Sequence, residues 1–270
     1  MTGDTYTHGH HASVLRSHEW RTAENSAPHL LAHLRAGQRL LDLGCGPGTI
    51  TADLAERVAP GPTLGVDPAA AVIERARANV AARPGGSPGN LRFEVADGYA
   101  LPYEAGSFDV VHAHQVLQHL TDPVAALREA RRVLAPDGLL AVRDSDYGAK
   151  VWAPADPRLD RWLELYHQVT QANRAEADAG RYLPTWVRAA GFSDLRVSSS
   201  TWTFADPEIV AWWGDLWAER AVASAFAEQA VGYGLSTEAE LADISDAFRT
   251  WATSPDATFL VVHVEVLARP

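Results

Sequence analysis

The chain has 270 residues, 47% of them hydrophobic, which is enough for one large α/β domain with an appended cap. Its 23 Lys and Arg against 34 Asp and Glu give a formal charge of −11 and form no dense basic run, which argues against nucleic acid as a partner. A lone cysteine, Cys45, excludes an internal disulfide and fits a reducing compartment, and no apolar stretch approaches the roughly 18 residues that a membrane span needs.

The N-terminal 18 residues are polar and His-rich, with no apolar core of a secretion signal, so the sequence predicts a cytoplasmic protein. His8, His10, His11 and His18 have the right chemistry for a metal. No Cys partner or helical His-x3-His pair fixes a geometry, however, and no metal is expected.

In chain order, the spacing of Leu30, Leu31 and Leu34 predicts a helix over residues 24–34, ended by Gly37. A short apolar strand follows at 39–43 and runs straight into Gly44-Cys45-Gly46-Pro47-Gly48. Helix 49–58, strand 63–67 and an Ala-rich helix at 69–82 come next, then a Pro/Gly-rich loop at 83–89. Strands at 91–95, 108–113 and 139–144 enclose a helix at 123–134. Strands separated by helix-length segments imply parallel pairing with crossovers: a Rossmann-like, doubly wound, seven-stranded and mostly parallel α/β sheet. Beyond Asp144 the pattern changes, with helices expected at 157–173, 182–190, 206–231 and 237–251 and strands at 195–201 and 258–268. The organisation predicted is a helical N-terminal segment (1–36), an α/β core (37–148) and the end of the core carrying a helical lid (149–270, with the lid at about 150–190 and 206–254).

The strongest chemical signal is the glycine turn. A strand that ends in glycines and opens a helix lets backbone N–H groups approach a ligand closely. The spacing is G-x-G-x-G, whereas a dinucleotide fold carries G-x-G-x-x-G, so a pyrophosphate and a nicotinamide oxidoreductase are disfavoured. A nucleoside joined to an amino acid suits the shorter turn. Asp67 closes the second strand and can accept both hydroxyls of a ribose, with Pro68 beside it; Asp97-Gly98 closes the third, where an adenine would lie.

The stretch from Arg39 to Arg143 resembles class I S-adenosylmethionine-dependent methyltransferases, particularly the quinone-biosynthesis, UbiE-like group. The matching pieces are LLDLGCGPGTIT, GVDPAAAVIERA, VADGYALPYEAGSFDVVHAHQVLQHLTDP and EARRVLAPDGLLAVRD, in order and in spacing. The resemblance implies the fold, S-adenosylmethionine as cofactor (with S-adenosylhomocysteine as product) and methyl transfer. The flanks, Tyr6-Thr7-His8-Gly9-His10-His11 and the run from Arg16 to Asn25, look like an actinobacterial branch that includes indole C3-methyltransferases of secondary metabolism acting on tryptophan-containing cyclic dipeptides. That likeness implies an N-terminal segment folded over the cofactor, with Tyr6 and Arg16 as partners for its carboxylate. Gly44, Cys45, Gly46, His114 and Gln115 complete the expected cofactor contacts.

Methyl transfer needs alignment and exclusion of water, and an acceptor that must lose a proton also needs a base. His119 is the candidate base by type and place, with Asp144, Asp146 and Tyr147 expected to face the same cleft. Cys45, beside the cofactor's amino acid, is not expected to act as a nucleophile. Eight of the nine Trp fall late in the chain, which suits a lid over a flat apolar acceptor, although most should be core. The expected acceptor is therefore a small planar aromatic molecule methylated at carbon, indole C3 being the specific case. A quinone precursor, a phenol or a non-catalytic binding module stays open, as does a homodimer.

Overall fold

The computed structural model describes residues 4–9 and 11–270. His10, one of the candidate metal ligands, lies outside the described residues. Strands β1 (Leu40–Leu43), β2 (Thr63–Asp67), β3 (Leu91–Val95), β4 (Phe108–His114) and β5 (Leu134–Ser145) pair in parallel in the order β3-β2-β1-β4-β5. β8 (Thr258–Arg269) adds antiparallel to β5, and β7 (Ser193–Phe204) lies antiparallel along the other edge of β8. A short β6 (Val151–Ala153) continues from β5 along the first residues of β8. The seven-stranded, mostly parallel sheet expected from the sequence is thus present, with β6 as an addition.

All four residues of β1 are buried, as a central parallel strand covered on both faces requires. Leu40 packs with Leu30, Ile50, Leu54 and Val58 on one face, whereas Leu41 and Leu43 pack with Leu127, Ala130 and Val133 on the other. The chain winds from β1 out through β2 and β3, then returns to place β4 on the other side of β1. The segments leaving β1 and β4 therefore diverge and open a crevice at the carboxyl ends of the strands.

Helices α1 (Ala12–Glu19), α2 (Ala23–Ser26), α3 (Pro28–Leu31), α4 (Thr49–Val58), α5 (Ala70–Ala81) and α6 (Pro123–Val133) precede β5. After it come α7 (Pro157–Ala172), α8 (Ala179–Ala189), α9 (Pro207–Ala223), α10 (Ala225–Gly232) and α11 (Glu238–Ala252). Two expected helices are each divided. Residues 24–34 break at Ala27 (φ −135°), because the ring of Pro28 disfavours helical backbone in the residue before it. Residues 206–231 break at Ser224, which is extended and whose hydroxyl donates to the Arg220 carbonyl, in competition with the helix.

The late helices share one aromatic core. Trp162, Tyr166, Trp213, Trp217, Phe248 and Trp251 bury against Phe204, Phe259 and Val261 of β7 and β8. No tryptophan lines the cavity at the glycine turn described below, and most of the rings are core, as the sequence led one to expect. Four helices set against a sheet end leave a wide apolar gap, and large rings fill it.

Candidate functional site

The crevice at the switch point holds a cavity of about 410 Å³. Its floor is the turn after β1, where Gly44, Gly46 and Gly48 all have positive φ. Asp42 anchors that turn from below, its carboxylate accepting from Thr51 Oγ at 2.5 Å and lying 2.7 Å from His112 Nδ1. At Gly44 (φ +66°) an added Cβ would meet Val116 Cγ2 at 2.5 Å, so the glycine lets the turn approach the β4 loop. Gly44→Ala is expected to cost about 1–2 kcal/mol and lower Tm by a few degrees in thermal unfolding. Gly46 differs: its Cβ position opens onto unfilled space.

Tyr6, Gly44, Cys45, Gly46, Asp67, Pro68, His114, Gln115 and His119, all chosen from sequence, line this one cavity. Asp67 stands at the end of β2 and takes the Ala69 N–H on Oδ1 at 3.0 Å. Gln115 has a left-handed backbone (φ +53°), rare for a residue with a side chain. Its N–H donates to Arg143 O at 2.7 Å, and its side-chain amide bridges Arg21 and His263 at 2.8 Å each. Cys45 is buried, and burial lifts its thiol far above the ordinary range, so no thiolate nucleophile forms there.

Other candidates lie elsewhere. Arg16 is turned to the outer face of α1, where it pairs with Glu219. Arg21, not singled out in the sequence, is the arginine of the N-terminal segment that lines the cavity, which Arg75 of α5 also lines. It donates to Gln115 Oε1, and its Nε is enclosed with no partner among the described residues. Asp97 is exposed and caps its own turn, accepting from Tyr99 N at 2.9 Å; Gly98 packs toward Leu43, and neither lines the cavity. Asp144 is fully buried beneath the β4 loop, 3.4 Å from Gln118 N, and burial pushes its carboxyl up to about 8. Asp146 binds Arg181 (2.7 Å).

His119 lines the cavity with its ring edge-on to Tyr6 at 4.7 Å. Gln118 takes the Ser145 hydroxyl on Oε1 and presents its amide nitrogen to His119 Nε2 at 3.0 Å. In that arrangement Nε2 accepts, and the proton sits on Nδ1, which has no partner among the described residues. Burial and the Arg21 charge depress the imidazole to about 3, so it is neutral at pH 7.

Behind Tyr6 and His119 lies a second, closed cluster. His8 Nε2 lies 3.1 Å from the Tyr147 hydroxyl and 2.9 Å from that of Tyr166, and the two tyrosines stack at 3.8 Å. Tyr147 therefore does not line the cavity at the glycine turn but forms a wall of this cluster. Lys150, the only lysine of the sequence, sits with Nζ 2.9 Å above the Tyr147 ring. The Trp217 ring centre is 5.4 Å from Lys150 Nζ and 4.5 Å from the Arg220 guanidinium carbon. Cation–π contacts give about 0.5–2 kcal/mol, against several kcal/mol for burying a charge, so the rings offset only part of the cost. Of the other N-terminal histidines, His11 caps α1 and His18 lines the main cavity. Among the described residues no three His, Cys, Asp or Glu side chains are grouped to hold a metal.

Residues 34–195 match the family of methyltransferase domains. The chain belongs to that family. An uncharacterized methyltransferase of Schizosaccharomyces pombe is 32% identical over 224 residues, covering 81% of this chain and 80% of its own. A probable methyltransferase of Aspergillus luteorubrus, ltbC, is 29% identical over 289 residues, covering 99% and 98%. The YcgJ protein of Bacillus subtilis shares the fold, with a TM-score of 0.57 at 20% identity over 90% of this chain and 98% of that one. The methyltransferase is thus a class I enzyme, and membership implies S-adenosylmethionine as donor and a small-molecule acceptor. The cavity fits that donor: it offers open space at Gly46, a carboxylate at the end of β2 and an enclosed guanidinium nitrogen at Arg21. No helix among the described residues is long and apolar enough to cross a membrane.

Proposed function

We propose that this methyltransferase acts on a small, flat aromatic acceptor and that carbon is the preferred nucleophile. The observation that carries the reading is the neutral, hydrogen-bonded His119 between the donor cavity and the aromatic cluster.

In this reading Asp67 holds the ribose hydroxyls and Arg21 the carboxylate of the donor, while Gly44 to Gly46 let its chain lie against the turn. Bound S-adenosylmethionine supplies an electrophilic methyl group. The protein aligns the acceptor and keeps water out, which Tyr6 serves by covering the cavity beside His119. A phenol hydroxyl needs a base of near-neutral pKa to become a good nucleophile. His119, held near 3 with its Nε2 lone pair engaged by Gln118, is a poor one. An electron-rich ring carbon attacks first and sheds its proton afterwards, from a far more acidic centre. His119 then serves best as an Nδ1–H donor that orients the acceptor.

The test is labelled methyl donor with a panel of indoles (cyclic dipeptides included), phenols and quinone precursors, read by mass. A C-methylated product supports the reading. An O-methylated phenol alone overturns the carbon preference, and tight donor binding without any product favours a non-catalytic module. His119→Ala is expected to lower kcat/KM about tenfold, the loss of one hydrogen bond. The wild-type rate should stay flat between about pH 6 and 8. A limb near neutrality that disappears in His119→Ala would restore His119 as the base.

A further inference from the structure

We propose that the closed cluster behind His119 is an acceptor subsite that takes a carboxylate, so that the acceptor is a small aromatic acid whose anionic group lies between Lys150 and Arg220. This rests on the methyltransferase reading above and narrows its substrate class.

The argument begins with charge. In a chain of net charge −11, Lys150 and Arg220 are 8% and 4% exposed, yet no carboxylate of the described residues pairs with either. The acids nearest in effect to Lys150 are Asp178 and Asp146, and both are committed elsewhere. Asp146 binds Arg181, while Asp178 accepts from Gly148 N at 2.7 Å and lies 2.9 Å from His167 Nε2. Arg220 gives one nitrogen to Ser13 O and Ser17 Oγ, which fastens α1, and its Nε meets no acceptor among the described residues.

The surrounding polar atoms have the same bias. Trp162 Nε1 and Trp217 Nε1 can only donate, and each is buried without an acceptor among the described residues. Lys150 Nζ faces the rings of Tyr147, Trp162 and Trp217 at 2.9, 5.3 and 5.4 Å. The cluster therefore holds buried donors in excess of acceptors, and burial without a counter-charge pulls Lys150 well below its ordinary range. Rings soften the burial of a cation but do not replace a counter-charge. A ligand carboxylate supplies both the missing charge and the missing acceptors, and the aromatic surroundings of Tyr166, Trp162 and Trp217 suit an apolar ring. An uncharged acceptor, such as a cyclic dipeptide, would leave both cations as they are. The cluster adjoins the donor cavity through His8, whose ring is 5.7 Å from that of His119. An acid anchored at Lys150 could thus present its far end toward the cavity that His119 lines.

The test is calorimetry on the full chain saturated with S-adenosylhomocysteine, using indole-3-propionate and 4-hydroxyphenylacetate, each beside its primary amide. The acids are expected to bind at least 30-fold more tightly than the amides. Lys150→Met and Arg220→Met should each bring that ratio below about threefold, with S-adenosylhomocysteine affinity unchanged. A purely structural lysine predicts otherwise, so melting is measured alongside. Lys150→Met should melt no lower than the wild type, because it removes a buried amine that no carboxylate of the described residues pairs with. Equal binding of acid and amide, no binding of either, or a Lys150→Met protein that melts lower yet keeps the preference would overturn the proposal. Should Arg220→Met fail to fold, the wild-type ratio and Lys150→Met decide the matter. Failure to bind S-adenosylhomocysteine at all would instead count against the donor site, a separate readout in the same experiment.

Discussion

Arg21→Met is expected to weaken S-adenosylmethionine binding by about 100-fold or more, because breaking a desolvated charge pair costs on the order of 3 kcal/mol. Arg21 lines the cavity, and its Nε is enclosed without a partner among the described residues. Its guanidinium donates to Gln115, itself held in a left-handed conformation. Burial drags the guanidinium down to about 10, so it still carries full charge at neutral pH. A cation kept charged in such a place gains most from an anionic ligand, and the donor's carboxylate is the anion the family implies. Because no carboxylate of the described residues pairs with Arg21, the ligand-free variant should keep its Tm within a few degrees. Arg21→Lys should recover part of the affinity, since it restores the charge but not the fork of donors. Arg16→Met, by contrast, should change Kd less than about twofold, because Arg16 pairs with Glu219 on the outer face of α1. Calorimetric titration with donor decides: equal Kd for wild type and Arg21→Met would remove Arg21 from the site.

The contrast between Arg16 and Arg21 shows where a sequence stops speaking. The glycine turn and Asp67 were legible because strand, turn and helix are contiguous, so chemistry and position arrive together within a few residues. The N-terminal segment carries no hydrophobic period. Which of its arginines faces the cavity depends on α1 ending at Glu19 and on a contact between Arg21 and Gln115, 94 positions apart. Asp144 and Tyr147 were expected in the cleft because they leave β5, but the β4 loop settles over Asp144 and Tyr166 stacks on Tyr147. The aromatic count pointed to rings that are mostly core, and they do fill the space between helices and sheet, but it could not say which helices share them. Lys150 did carry a signal, one lysine in a chain rich in arginine, but nothing local marks it as buried.

A second large effect is expected from acid, and its sign follows from where the histidines lie. His8, His29, His114, His119 and His263 all have their imidazoles depressed chiefly by burial, His29 and His119 to about 3. In the unfolded chain each takes a proton near pH 6.5, whereas in the folded chain each stays neutral far below that. Between those limits the unfolded state binds more protons, so stability is full above about pH 6.5 and is lost as pH falls toward 3. Each histidine withdraws about 1 kcal/mol over the first unit, and five together withdraw several, out of a total of about 5–15 kcal/mol. Asp144 opposes them. Its carboxyl, raised to about 8, binds a proton in the folded state before the unfolded chain does, so its contribution grows as pH falls from 8. It is one group against five. Paired acids such as Asp109 and Asp156, held below their usual range by Arg39 and Arg158, give way only at lower pH. Tm is therefore expected to fall by about 5–10 °C between about pH 7 and 5.5. A Tm flat over that interval would mean that the buried histidines protonate in place. Three of the five, His8, His114 and His119, lie at the donor cavity or directly behind it. Bound donor or acceptor should therefore shift the acid midpoint downward, and the shift should be smaller in Arg21→Met, which loses the ligand that holds this region closed.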